Sequence, residues 1–110
     1  MNTWSVETLN DFVDDELHAL PQDMRARFVR VAQLIQEFGP FQVGMPHIKS
    51  LTHKLWEIRV SGRQGIARGI YVMVKDKRVV ILHVFIKQSQ QTPTKALDIA
   101  FQRAKKAGLI

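Results

Sequence analysis

The chain is predicted to form an α+β domain: a small antiparallel or mixed sheet with an N-terminal αα-hairpin and a C-terminal helix, in the order β-α-α-β-β-β-α. Three observations predict this. Two helical hydrophobic repeats stand back to back before Pro40. Three β-rich apolar runs follow between Leu55 and Lys87, separated by two turn signals. A last helical repeat begins after Thr92-Pro93. With 110 residues and 45% apolar composition there is material for one core and not for two, so residues 1–110 are read as a single domain.

Thr3 to Val6, carrying Trp4 and Val6, reads as a first strand. Leu9, Phe12, Val13, Leu17 and Leu20 recur at helical spacing, with acids in the first turn, where they favour the helix dipole. Met24, Phe28, Val31, Ile35 and Phe38 form a second apolar stripe, and Gly39-Pro40 ends it. Met24, Phe28 and Phe38 are expected in the core. The link at Pro21 is short, so the two helices form a hairpin. Gly39 to Thr52 reads as a loop, with Gly39, Pro40, Gly44 and Pro46 in it.

Lys54 to Val60 alternates, with Trp56, Ile58 and Val60 on one face and Leu55, Glu57 and Arg59 on the other. After a turn at Ser61 to Gly65, the strand from Ile66 to Val74 sets Ile66, Arg68, Ile70, Val72 and Val74 against Ala67, Gly69, Tyr71 and Met73. Lys75-Asp76-Lys77 is a hairpin turn. Arg78 to Lys87 is nearly all apolar, the mark of a strand covered on both sides, and His83, Phe85 and Lys87 share a face. In the last helix Thr92 is the expected N-cap and Pro93 the first helical residue; Leu97, Ala100, Phe101 and Ala104 form the stripe, and Gly108 the stop.

Several function classes are excluded by what is missing. There is no cysteine, so disulfides and cysteine-ligated metals are out. The four histidines (His18, His47, His53, His83) lack metal-ligand spacing, so no metal and no cofactor are expected. No phosphate-cradling glycine motif or serine-nucleophile motif is present. The N-terminus lacks a secretory pattern and no apolar run reaches membrane-spanning length, so a soluble, cytoplasmic protein with no membrane association is expected. Charge is divided sharply. Residues 1–23 carry six acids and no Lys or Arg, while residues 24–110 carry the other four acids and all sixteen basic residues, a balance of −6 followed by +12. The basic body favours a polyanion, nucleic acid first.

Cations inside strands are the feature left to explain: Arg59, Arg68 and Lys87, with Tyr71 and His83 nearby in sequence. Such a set suits RNA cleavage by attack of a 2′-hydroxyl on the neighbouring phosphate. The nucleophile belongs to the substrate, and fixed Arg and Lys groups stabilise the negative charge gathered on the phosphoryl oxygens. Lys87, His83 or Tyr71 would carry the protons. Each has a plainer reading: Arg59 a solvated edge residue, Arg68 an ion-pair partner of Glu57, His83 a hydrogen-bonded core residue, Tyr71 a packed ring, Lys87 an exposed strand end. Arg68 and Tyr71 are three apart, so an unbroken strand puts them on opposite faces.

At these residues the chain resembles the RelE/HigB superfamily of bacterial toxins, particularly its phage-derived HigB-like branch. The matching pieces are Lys49-Ser50-Leu51, LWEIR at 55–59, ARGIYV at 67–72 and VVILHVFIKQSQQTP at 79–93. The resemblance implies the toxin of a type II toxin–antitoxin pair: a metal-independent endoribonuclease, or mRNA interferase, that cleaves mRNA on the ribosome and inhibits translation. It implies as partners a helix-turn-helix antitoxin, held in a toxin–antitoxin hetero-oligomer, and the ribosome with its mRNA. Arg59, Arg68 and Lys87 match family site positions, and Lys49, Lys54, Arg63 and Gln88 are expected to bind RNA. Gln88 stands where a second cation is usual, Ala67 where an aromatic often precedes the arginine. Two alternatives remain at this point: a ParE-like poison of DNA gyrase, and an inactive phage-derived nucleic-acid-binding module.

Overall fold

The computed structural model describes residues 3–44, 46–87 and 91–110. The chain runs β1 (Ser5–Thr8), α1 (Asp11–His18), α2 (Gln22–Phe38), α3 (Pro40–Val43), β2 (Ile48–Ser50), β3 (Trp56–Gly62), β4 (Gly65–Val74), β5 (Arg78–Lys87) and α4 (Thr94–Lys106). One five-stranded sheet has the order β1-β5-β4-β3-β2. The β1 strand pairs parallel with β5, and the other pairs are antiparallel. The α+β class and the mixed sheet match the expectation. The segment read as a loop, Gly39 to Thr52, differs: it holds the single turn of α3 and the three-residue β2. Elements that short carry no periodic signal, and β2 exists because β3 pairs with it.

The sheet has a core on each face. Val13 of α1 and Met24, Phe28, Val31 and Ile35 of α2 pack on Ile58, Val60, Ala67, Tyr71, Val79 and Ile81. On the other face Ala96, Ala100 and Ala104 of α4 lie on Leu55, Ile70, Val72, Val80 and Leu82. The apolar residues of β4 and β5 that point away from α1 and α2 would otherwise lie in water; α4 covers them. Phe38, expected in the core, is instead 55% exposed, and Phe12 of the α1 stripe is 72% exposed. In α1 it is Val13, one helical step from Phe12, that is fully buried.

Two local features set the geometry. Gly69 lies under Phe28: a Cβ there would stand 2.3 Å from the Phe28 ring, so α2 sits on the sheet only because β4 has no side chain at that point. In the β4–β5 ladder Ile70 pairs with His83 but Tyr71 with Ile81, which leaves Leu82 as an extra residue. That bulge is in β5, so β4 keeps its alternation unbroken. Asn10 caps α1, its side chain accepting from the Val13 N–H at 3.2 Å.

Candidate functional site: a cation cluster on the α4 face

Strand alternation and register assemble the site. Arg59 and Arg68 are direct cross-strand partners on β3 and β4, and Phe85 of β5 continues the row. The next row is Ser61, Ile66 and Lys87, and the row before is Lys49, Glu57, Ile70 and His83. All three rows look toward α4. Two guanidinium groups on adjacent strands repel each other, and the fold answers with a carboxylate between them. Glu57, with no exposed surface, accepts a 2.6 Å hydrogen bond from Arg59 Nε. Its other oxygen accepts from the Thr92 hydroxyl at 2.6 Å. That hydroxyl in turn receives Arg68 Nη1 at 3.4 Å.

Arg68 has 0% exposure and Arg59 keeps 13% of its side chain open. Burial pushes the Arg68 guanidinium below its ordinary pKa; Glu57 works against that shift and Arg59 adds to it. Lys87 is exposed at the end of β5. A depression of about 290 Å³, lined by Lys87, Gln91, Thr92, Pro93 and Thr94, opens at this end of the face. The arrangement can hold an anion against fixed positive charge in a partly dry setting.

Of the sequence-derived residues, Arg59, Arg68 and Lys87 come together here. Tyr71 does not. It is fully buried in the opposite core with α1 and α2, because β4 alternates without interruption between Arg68 and Tyr71. Burial pushes its phenol well above the ordinary range, and Tyr71 Oη has no hydrogen-bond partner among the described residues. His83 is on the right face but is engaged elsewhere. Its Nδ1 lies 3.0 Å from Glu16, and its ring stacks on Phe85 at 5.0 Å, so Phe85 stands between it and Lys87 along β5. Glu16 also accepts the Val84 N–H and Arg103 Nη1, each at 3.0 Å. Burial alone would raise the Glu16 pKa, but the hydrogen bonds from Arg103, Val84 and His83 outweigh it and hold the carboxyl below its ordinary value.

Lys49 lies on the same face as the cluster, opposite Glu57. Lys54 and Arg63 are exposed beyond opposite ends of β3, whose seven residues span about 20 Å, so they border the sheet and cannot share one phosphate. Gln88 lies outside the described residues. Two participants were not counted in the site: Thr92, and Glu57, which was named only as an ion-pair partner for Arg68. Thr92, expected to cap α4, spends its hydroxyl on Glu57, and α4 starts at Thr94 with no side-chain cap. Glu57 shared a face with Arg59 by alternation, and that was the available signal; its bond to Thr92, 35 positions away, has none in the sequence. No metal-binding group of His and acidic residues occurs among the described residues.

Fold and cluster together define a class: a small α+β domain with a five-stranded mixed sheet and paired arginines on the sheet face that carries the last helix. Over 92% of this chain and 97% of the other, the structure superposes on a double arginine-to-alanine mutant of the E. coli toxin RelE in the free state, with a TM-score of 0.65 and 13% sequence identity. At the sequence level residues 15–105 match the family described as phage-derived protein Gp49-like (DUF891). The chain belongs to that Gp49-like phage-derived family, and its fold is the RelE fold. No curated protein matches the sequence. No helix is long and apolar enough to cross a membrane.

Proposed function

We propose that this protein is the toxin of a toxin–antitoxin pair and acts in the cytoplasm as a ribosome-dependent mRNA endoribonuclease. The observation that carries the reading is the cross-strand Arg59–Arg68 pair with Lys87 one row away on the same face. In the reaction the substrate's 2′-oxygen forms a bond to phosphorus and the bond to the 5′-oxygen breaks. A 2′,3′-cyclic phosphate and a 5′-hydroxyl end result. The proton leaves the 2′-hydroxyl and one is delivered to the 5′-oxygen. Arg59 and Arg68 stabilise the charge on the non-bridging oxygens, and Lys87 is the proton carrier on this face. The partner that neutralises it is a helix-turn-helix antitoxin, acidic where it meets the basic face.

A second reading has an observation behind it. Arg68 is fully buried and compensated by Glu57, as in a purely structural ion cluster, which suits an inactive nucleic-acid-binding module. Induction in cells separates the readings. Growth arrest with new, codon-phased 5′ ends in primer extension supports cleavage, and Arg68→Ala and Arg68→Lys abolish it while the purified variants keep the parent circular dichroism. Arrest that persists in folded Arg68→Ala sinks the site assignment. Double-strand DNA breaks with an SOS response point to gyrase, and absence of arrest to the inactive module.

A further inference from the structure

The cation cluster does not use the acidic N-terminal segment. Three of its six acids are spent inside the fold: Glu7 on Arg78, Asp14 on the Thr8 hydroxyl, and Glu16 on His83 and Arg103. Asp11 and Asp15 are exposed and in no ion pair among the described residues. They stand one turn apart on α1, about 6 Å along its axis, with Phe12 beside them at 72% exposure. The result is an acidic ridge bearing one aromatic knob.

A surface of the opposite character runs along α2. Arg27, Arg30, Leu34 and Phe38 follow one another at steps of three and four residues, a single stripe of the helix. Between this stripe and β3 lies a cleft of about 550 Å³, whose lining includes Val31, Leu34 and Val60 together with Arg27, Arg30 and His47. Leu34 and His47 carry it into a second depression of about 320 Å³ that includes Phe38 and Val43. Arg27 donates to the Ser61 carbonyl. Neither Arg27 nor Arg30 is in an ion pair among the described residues.

The occupant must offer carboxylates to the rim and an apolar group to the floor. RNA supplies the charge, but single-stranded bases stack on aromatic platforms, and the cleft floor is aliphatic. The α1 ridge supplies both. It cannot reach the cleft of its own chain: α1 packs on β1 and β5, while the cleft borders β3, toward the other edge of the sheet. We propose that a second copy of this chain docks here, with Asp11 and Asp15 of one protomer on Arg27 and Arg30 of the other and Phe12 on the aliphatic floor. The inference stands apart from the nuclease reading.

The test is sedimentation velocity of the full-length chain over micromolar to submillimolar concentration, at low and high salt. The parent self-associates at low salt and weakens as salt rises. Asp11→Lys/Asp15→Lys and Arg27→Glu/Arg30→Glu each lose about tenfold or more in association constant, with the parent circular dichroism retained. Mixing those two charge-swapped variants restores association, because the pairing is then reversed. Phe12→Ser weakens association at every salt concentration. A parent that stays monomeric at low salt overturns the proposal and assigns the cleft to another occupant. So does association that survives either charge swap, or a mixture that stays monomeric.

Discussion

Glu57 is where stability and the proposed activity can be separated. It has no exposed surface, holds Arg59 at 2.6 Å and Thr92 at 2.6 Å, and offsets part of the burial cost of Arg68. Glu57→Leu leaves the Arg68 charge buried beside Arg59 with no carboxylate between them. Removing one partner of a buried pair costs about 3–5 kcal/mol. For a domain of this size each kcal/mol lowers Tm by about 4 °C or slightly more, so the expected fall is roughly 12–20 °C. Glu57→Leu combined with Arg68→Met removes both charges and fills the space with apolar atoms. Such replacements of buried pairs are commonly neutral or stabilising, so most of the loss returns. Thermal and urea melts of the parent, Glu57→Leu and the double variant measure the cycle, and primer extension from induced cells measures activity. The expected outcome is a double variant near parental stability with no cleavage, since the charges would then be held against their burial cost for the sake of the substrate. The reasoning is refuted by a Glu57→Leu variant that loses less than about 1 kcal/mol. A double variant no more stable than the single refutes it as well.

Other outcomes follow from single contacts. Tyr71→Phe removes a buried hydroxyl without a hydrogen-bond partner among the described residues, so urea midpoints should stay level or rise and cleavage should persist; a large loss of activity would return Tyr71 to the site. Gly69→Ala sets a methyl 2.3 Å from the Phe28 ring and should cost about 1–3 kcal/mol in urea unfolding, part of which Phe28→Leu recovers. The Glu16 carboxyl has its pKa lowered in the folded state, so its contribution is present above the ordinary carboxylate range and is lost as pH falls through the folded value. Glu16→Gln should therefore lower Tm at neutral pH and flatten its decline in acid, and parallel Tm-versus-pH curves would contradict this.

Much of the fold was legible because it rests on period. Alternation put Glu57 and Arg59 on one face of β3 and Arg68 with Ile66 and Ile70 on one face of β4; the register that sets Arg59 opposite Arg68 joins the two. The uninterrupted apolar run from Val79 to Leu82 marked a strand covered on both sides, as β5 is. Legibility failed where an element is too short to repeat, as in α3 and β2, and where a helical stripe is wider than its buried part. Phe12 and Phe38 belong to apolar stripes but lie outside the area that the sheet covers. Tyr71 shows the reverse: alternation already placed it opposite Arg68, and grouping it with the site needed a bulge in β4 that is found in β5 instead.

What the sequence by itself determined is the set of charges and the face each strand residue takes, because a two-residue period needs only local backbone geometry. What only the tertiary structure decided is depth and partnership. Arg68 is fully buried with the Thr92 hydroxyl 3.4 Å from its guanidinium, and Thr92 leaves its capping role because Glu57 comes within 2.6 Å of it across 35 positions of chain. Burial and long-range pairing depend on which elements come to lie together, and that follows from the summed packing of two cores and from no one stretch of residues.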